Sequence, residues 1–255
     1  MKSQKLYFKN SNDIPLCGIL SGELGDKKPV VAVLCHGFAT SKESRTYLDL
    51  ESRLFREGID SFRFDFFGHG ESGGRFEDIT VSEAVDDVLC SVAFVRQLGY
   101  ERIFLVGSSF GGLASIIAAA EIPELTALVL KSPVSDYISR LLVNNDGVNV
   151  EEWKTQGFIE LPPFEGSTLR LNYGFYPDAE KNSGYDSAGK IGCPVLIVHG
   201  NEDESVPLEQ SLKLNKIIPD CSLQIIHGAD HRYSRPEDFE DMLDRITRFL
   251  VDNIS

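Results

Sequence analysis

The sequence predicts an α/β protein built on a doubly wound, mostly parallel β-sheet. Short runs of apolar, β-branched residues recur along the chain. The run at residues 30–35 has no polar position, as in strands buried on both faces of a parallel sheet. Stretches with helical spacing separate these runs, an alternation typical of βαβ units. Composition agrees, because 42% of the 255 residues are apolar or aromatic, a share that excludes disorder.

Eight strands are predicted, most of them short runs rich in apolar residues. They cover residues 5–9, 16–21, 30–35, 60–64, 103–106, 127–130, 195–198 and 223–226.

Helical spacing of apolar residues predicts helices at residues 47–57, 80–98, 110–120, 208–218 and 236–251. The helix at 80–98 has the clearest start, because Thr80 and Glu83 have the spacing of a capping box. Val85, Val88 and Val92 then mark its apolar face.

The alternation stops between residues 132 and 190, where aromatic residues accumulate. A loop of this length without structure of its own would be unusual in a compact domain. We therefore predict one domain overall, in which residues 1–131 and 191–255 form the core and residues 132–190 form an inserted lid or cap.

Charge and cysteine usage exclude several classes of protein. The chain has 25 Lys and Arg against 39 Asp and Glu, so its net charge is −14, the opposite of what nucleic acid or an anionic membrane would attract. An anionic field around the active-site cleft is expected to favour neutral substrates. Five scattered cysteines, no signal peptide and no apolar run long enough to span a membrane predict a soluble, cytoplasmic protein.

The most specific local motif is Gly-Ser-Ser-Phe-Gly at residues 107–111, which matches G-x-S-x-G. In this motif the central serine sits on a tight strand-to-helix turn, so that its hydroxyl stands clear of the backbone. The required context is present, since the strand at 103–106 leads into the motif and an alanine-rich helix follows it. Ser109 is therefore the predicted nucleophile.

A serine hydroxyl needs a base, and the chain offers five histidines. In proteins that carry this motif an acid and then the histidine follow the serine, which excludes His36 and His69. His199 precedes the best acidic candidates. Of the remaining two, His227 ends a strand, whereas His231 lies in the loop beyond it, and this position favours His231.

The acid that orients the histidine should lie in the loop after the strand at 195–198. Glu202, Asp203 and Glu204 are adjacent there, and their spacing from the strand leaves all three open.

Five motifs, taken together, resemble the α/β-hydrolase family over nearly the whole chain. They are His36-Gly37-Phe38, Asp65-x-x-Gly68-His69-Gly70-x-Ser72, Gly107-x-Ser109-x-Gly111, His199-Gly200-x-x-Asp203-x-x-Val206-Pro207 and Gly228-x-x-His231.

The resemblance implies an eight-stranded sheet with Asp203 as the acid and His231 as the base, in agreement with the chain order. Within the family the chain looks most like small carboxylesterases of the cinnamoyl or feruloyl esterase type. Those esterases are similar to this chain in size and in a compact insertion over the site. They also have a Ser-x-Pro motif just after the strand that follows the nucleophile helix, where this chain has the shorter Ser132-Pro133.

The same positions imply an oxyanion hole formed by two backbone N–H groups. The N–H of Phe110 follows the nucleophile at a helix N-terminus, and the N–H of Phe38 lies in the loop after the strand at 30–35.

The aromatic insertion suggests an apolar pocket for an acyl or aryl group. The candidate substrate-binding residues are Asp136, Trp153 and Tyr173, and Tyr137 also follows its strand closely enough to approach the site.

One glycine motif is not a nucleotide site. Residues 68–73 satisfy G-x-G-x-x-G, but a dinucleotide site needs a helix that opens at the motif, and here the next helix begins only near residue 80. No metal-ligand motif occurs either, so no metal and no cofactor are predicted.

The predicted function is a serine carboxylic-ester hydrolase that forms an acyl-enzyme, on hydroxycinnamate or other small acyl esters. The predicted partners are a small-molecule ester and a second copy of the chain in a homodimer, with neither nucleic acid nor membrane. The alternatives are a peptidase, amidase or thioesterase of the same fold, since all pass through an acyl-enzyme, and a ligand receptor on this fold. A dehalogenase is disfavoured because that chemistry uses Asp where this motif has Ser.

Overall fold

The computed structural model describes residues 1–22, 30–139, 148–161 and 168–254. Within these residues ten strands form two sheets. The strands are β1 (Lys2–Lys9), β2 (Pro15–Gly22), β3 (Val30–Cys35), β4 (Asp60–Phe64), β5 (Arg102–Ser108), β6 (Ala127–Lys131), β7 (Phe158–Glu160), β8 (Arg170–Asn172), β9 (Val195–Gly200) and β10 (Cys221–Ile226).

Helices connect the strands, and a short 3₁₀ turn at Phe76–Asp78 precedes the second of them. The helices are α1 (Arg45–Arg56), α2 (Val81–Gln97), α3 (Phe110–Ala119), α4 (Val150–Gln156), α5 (Phe175–Lys181), α6 (Gly184–Ala188), α7 (Leu208–Ile217) and α8 (Pro236–Asp252).

The main sheet has eight strands in the order β1-β2-β4-β3-β5-β6-β9-β10. Six neighbouring strands of this sheet (β4, β3, β5, β6, β9 and β10) are parallel, while β2 pairs antiparallel with both β1 and β4. At the centre Val33 of β3 lies opposite Phe62 of β4 and Leu105 of β5. The predicted eight-stranded, mostly parallel sheet is therefore confirmed.

Helices cover both faces of the sheet because alternate residues of the central strands face opposite ways. Val31 and Val33 belong to one apolar core with residues of α2 and α3. Ala32 and Leu34 belong to a second core with residues of α1 and α8. All six residues of β3 are buried, which explains why its sequence has no polar position.

The capping box that the sequence predicts at α2 forms only in part. The Thr80 hydroxyl accepts the Glu83 N–H at 3.0 Å, as expected. The Glu83 carboxylate does not reach back to Thr80 but accepts the side-chain amides of Asn10 at 2.7 Å and Asn12 at 3.1 Å. It therefore ties the loop after β1 to the start of α2.

Within the predicted insertion, 132–190, the structure describes α4, the antiparallel β7–β8 hairpin, α5 and α6. Residues 140–147 and 162–167 of this segment lie outside the described residues. Trp153 of α4 is fully buried, its indole N–H donates to the Leu171 carbonyl at 3.0 Å, and its ring contacts Tyr173 and Tyr176. These contacts join α4, the hairpin and α5 into one packed unit.

In the described part of the chain no helix is long and apolar enough to cross a membrane. The five cysteines are free thiols, and three of them (Cys17, Cys35 and Cys193) are buried.

Candidate active site

Ser109 occupies a strained turn between β5 and α3. Its φ is +53° and its ψ is −116°, a conformation that costs a non-glycine residue about 1–3 kcal/mol and persists only where the surroundings enforce it. Its N–H donates to the Lys131 carbonyl of the neighbouring strand at 3.0 Å. The turn therefore projects the serine beyond the end of the sheet, as the motif predicts.

The glycines of the motif are required by close approach of the backbone. A β-carbon at Gly111 would lie 2.2 Å from the Cys35 carbonyl oxygen, and one at Gly107 would lie 2.6 Å from the Gly111 oxygen. No side chain fits at such distances, so both glycines let α3 pack directly on the ends of β3 and β5.

His231 and Asp203 form a close pair, although 28 positions separate them in sequence. The imidazole Nδ1 lies 2.7 Å from Asp203 Oδ2, and the carboxylate is completely buried, whereas the imidazole keeps 16% of its surface exposed. A carboxylate can only accept, so Nδ1 carries the proton and Nε2 is left as the basic nitrogen. The second acidic neighbour, Glu204, accepts the backbone N–H of His231 at 3.2 Å, its one hydrogen bond among the described residues.

Four donors surround the Asp203 carboxylate. Oδ1 accepts the backbone N–H groups of Ser205 at 2.9 Å and Val206 at 2.8 Å. Oδ2 lies 2.7 Å from Nδ1 of His231 and 3.1 Å from Nε2 of His199, and that Nε2 also lies 3.0 Å from the Val206 carbonyl. His199 is fully buried, and its Nδ1 lies 2.6 Å from the Ser211 hydroxyl. The sequence motif that contains His199 does not by itself predict this contact with Asp203, for which the spacing of four residues is the only signal.

The surroundings set the ionisation of the pair. Burial alone would raise the pKa of Asp203, but the hydrogen bonds from His199 and His231 outweigh it and hold that pKa far below its ordinary value. Burial lowers the pKa of His231, and the charge of Lys131 adds to the effect against the opposing pull of Asp203. Near neutral pH the pair is therefore a carboxylate and a neutral imidazole, as a general base requires.

The orientation of the peptide between Gly37 and Phe38 is fixed by hydrogen bonds to its carbonyl oxygen. The Gly37 carbonyl accepts from His36 Nδ1 at 2.8 Å and from the Thr40 hydroxyl at 3.0 Å. A trans peptide directs its N–H opposite to its C=O. The β-carbon position of Gly37 lies 3.5 Å from Ser109 Cβ, so the loop that carries this peptide passes beside the serine.

The peptide between Ser109 and Phe110 is held in the same way. The Ser109 carbonyl accepts the N–H groups of Gly112, Leu113 and Val134 at 3.0–3.2 Å. Phe110 is the first residue of α3, where helix geometry offers its N–H no partner. Among the described residues neither Phe38 nor Phe110 donates its N–H to an acceptor.

His69 supports the loop that carries Phe38. Its Nδ1 donates to the Phe67 carbonyl at 2.8 Å, and its Nε2 accepts the Ala39 N–H at 3.3 Å. The glycine-rich residues 68–73 form the turn that carries this histidine, and no helix opens there.

A cavity of about 860 Å³ opens over Ser109 and His231. The apolar and aromatic residues of its wall are Phe38, Ala39, Tyr47, Tyr137, Leu161, Leu169 and Leu171. Its charged side chains are Glu43, Arg45, Lys131 and Arg232. Cationic side chains outnumber acidic ones in this wall despite the net charge of −14, so the wall itself does not supply the anionic field expected around the cleft, which stays a prediction.

Of the predicted pocket residues, Tyr137 lines this cavity, whereas Asp136, Trp153 and Tyr173 are not among the described residues that form its wall. The Asp136 carboxylate accepts the Ser139 N–H at 3.0 Å. Trp153 is the buried centre of the insertion, and Tyr173 stacks on Tyr176. These three residues therefore make packing and turn contacts. The cavity wall that was expected to contain aromatic rings is instead formed in part by leucines in and beside β7 and β8.

A sheet with this strand order and a serine on a strained strand-to-helix turn characterises the α/β-hydrolases, and the chain has that fold. The resemblance drawn from the five motifs is confirmed. The chain belongs to the family described as serine aminopeptidase, S33, which matches residues 26–159, just over half of its length.

Curated relatives in this fold are named as enzymes. The mouse palmitoyl-protein thioesterase ABHD10, mitochondrial, is 28% identical over 258 residues, which cover 98% of this chain and 84% of the relative. A monoacylglycerol lipase of Mycolicibacterium smegmatis is 25% identical over 88% of this chain and 89% of the relative.

Among solved structures, Est1E of Butyrivibrio proteoclasticus with ferulic acid bound is 29% identical, with a TM-score of 0.85, over 98% of this chain and 99% of that one. Mouse alpha/beta hydrolase domain-containing protein 10 is 26% identical, with a TM-score of 0.81, over 99% and 100%. The chain is therefore a hydrolase.

Proposed function

We propose that the protein is a serine carboxylic-ester hydrolase that acts through an acyl-enzyme. The observation that supports this most strongly is the pairing of buried Asp203 with His231 at 2.7 Å, in a cavity that also contains the strained Ser109. These are the nucleophile, base and orienting acid that acyl transfer needs.

In the proposed reaction the Ser109 hydroxyl attacks the ester carbonyl while His231 Nε2 takes its proton. The Asp203 carboxylate stabilises the imidazolium that results. The Phe38 and Phe110 N–H groups donate to the negative oxygen of the tetrahedral intermediate. His231 then returns the proton to the leaving oxygen, the alcohol departs, and a water molecule activated by the same histidine hydrolyses the acyl-enzyme.

The cavity wall supports an apolar acyl group as the substrate side chain. Tyr137 and the three leucines contributed by the β7–β8 region form a surface without a charged side chain. Relatives named as a thioesterase and a lipase, and the ferulic acid bound to Est1E, agree with acyl or aryl groups in this space. We propose residues 132–190 as the lid that supplies this surface.

An acyl panel tests the proposal. We expect kcat/KM of p-nitrophenyl esters to rise from acetyl to octanoyl by up to about fourfold per methylene, since each buried methylene contributes about 0.8 kcal/mol. The panel includes methyl ferulate, octanoyl thioesters and octanoyl p-nitroanilide. Faster turnover of the anilide than of the ester would indicate a peptidase or amidase. Tight binding of all members without turnover would indicate a receptor.

The thioester is the second candidate substrate, because the mouse relative carries a thioesterase name. The triad treats an oxygen and a sulfur ester alike in the first step, so the ratio of their kcat/KM values decides between them.

Replacing Leu169 with alanine should shorten the acyl surface. We expect kcat/KM for the octanoyl ester to fall about five- to thirtyfold, while that for the acetyl ester changes less than about twofold. Steady-state kinetics with both esters measures this selectivity. The matched control is Leu212→Ala, because Leu212 is 40% exposed on α7, away from the cavity wall. An equal fall for both esters would contradict the assignment of Leu169 to the acyl pocket.

Cytoplasmic location and a homodimer remain predictions. The mouse relative is named mitochondrial, so cell fractionation and size-exclusion chromatography with light scattering are the direct measurements.

A further inference from the structure

Lys131 is a buried cation in the wall of the catalytic cavity to which the mechanism above gives no role. It is the last residue of β6, and only 6% of its surface is exposed. Its ammonium group donates to the His231 carbonyl at 2.7 Å and lies 4.8 Å from the centre of the Tyr233 ring. Within the described residues no carboxylate lies within ion-pair distance of it.

The same residue also contacts the nucleophile. The Lys131 backbone carbonyl accepts the Ser109 N–H at 3.0 Å, while its side chain holds the His231 carbonyl. Lys131 therefore links the turn of the serine to the loop of the histidine, which come from separate parts of the chain. Its charge lies close enough to His231 to oppose protonation of the imidazole.

We propose that Lys131 is a positioning residue that holds His231 against Ser109 and places a positive charge beside the imidazole. That charge opposes a second proton on the ring, so the imidazole stays neutral and can act as a base in mildly acidic solution. This inference rests on the proposed esterase function. It gives a reason for a buried lysine where an apolar residue would cost less to bury.

Other charged groups face this pair from the loops around it. The carboxylates and cations that act on the Lys131 ammonium are Asp203, Glu204, Asp230 and Arg232, and those that act on the His231 ring besides Lys131 are Asp203 and His199. Burial lowers the pKa of Lys131 to about 8, against the opposing effect of the carboxylates, so the side chain is still largely charged at neutral pH.

Two variants separate charge from position. Lys131→Met keeps the aliphatic stem but removes the charge and the donor, whereas Lys131→Arg keeps both. We expect the Met variant to raise the pKa of His231 by about 0.5–1 unit and to move the acid limb of kcat/KM upward by the same amount. Its plateau should fall about tenfold or more through lost positioning. The Arg variant should keep the acid limb in place.

The profile is measured with p-nitrophenyl acetate at the isosbestic wavelength of p-nitrophenol, and His231 is titrated directly by NMR, which needs no turnover. A residue with only a structural role would lower the plateau of both variants without moving the acid limb, and that result would overturn the inference. If the Met variant does not fold, Lys131→Gln replaces it.

The unsubstituted protein gives an additional requirement. Its His231 must titrate below the ordinary histidine value of 6.5, and a higher value would contradict the inference even without a variant. Ester hydrolysis that persists in Ser109→Ala would instead overturn the proposed function, so the two failures are distinguishable.

Discussion

Ser109→Ala should lower kcat for ester hydrolysis by about 10⁴–10⁶ while the fold survives. Without the hydroxyl no acyl-enzyme can form, and only the oxyanion donors and substrate binding remain to help direct attack by water. The fold should survive because the Ser109 side chain faces the cavity, so its replacement by alanine removes no packing contact from the core. Stopped assays on p-nitrophenyl butyrate with a large excess of enzyme would measure the residual rate.

The matched control is Ser222→Ala, which removes a serine from an exposed position of β10 and should leave kcat within about twofold. Circular dichroism and thermal unfolding should show both variants folded. A fluorophosphonate should label the unsubstituted chain at Ser109 and fail to label the alanine variant. If Ser109→Ala kept a rate within tenfold of the unsubstituted protein, another nucleophile would have to be responsible.

Asp203→Asn has the second largest expected effect, a loss of about 10⁴ in kcat. Every contact of this carboxylate comes from a donor, two at Oδ1 and two at Oδ2. The asparagine amide, in either orientation, therefore points its NH₂ group at two donors. This donor–donor repulsion at His231 is relieved if the imidazole carries its proton on Nε2 instead of Nδ1, and the nitrogen that faces the serine is then no longer a base.

The control for this variant is Glu202→Gln, in the same acidic turn, because the Glu202 side chain forms no hydrogen bond within the described part of the chain. It should retain activity within about twofold. The pH dependence adds a check, since the lost carboxylate lowers the pKa of His231 further and the small remaining activity should not fall off until lower pH. Equal losses in both variants would mean that the turn as a whole, not one carboxylate, supports His231.

Much of the fold follows from short-range physics. The central strands are read correctly because residues such as Val31 and Leu34 leave no alternation to interpret, and their ends differ from the observed ones by three residues or fewer. Ser109 is readable because the turn imposes glycine at two neighbouring positions through backbone contacts. His231 and Asp203 depend on chain order, which the fold family fixes.

The pocket could not be read in the same way. Trp153 is equally apolar whether it faces a substrate or the interior of the insertion, and only the packing of α4 against β8 decides. Lys131 looks like the polar end of a strand, because nothing in its local sequence indicates that the His231 loop covers it. Both cases depend on contacts between segments far apart in the chain.

The carbonyl groups of Gly37 and Ser109 each accept several hydrogen bonds, and the location of the donors bears on how the substrate range of this hydrolase could change in evolution. The groups that donate to them lie in the loop after β3, in α3 and at Val134, and none of these belongs to the β7–β8 region that supplies the leucines of the proposed acyl pocket. The proposed oxyanion donors, the N–H groups of Phe38 and Phe110, are thus held in place without any contact from an acyl group. On this proposal recognition and chemistry belong to separate parts of the chain, so sequence drift in the hairpin would change which acyl groups are accepted while the reactive centre stays intact.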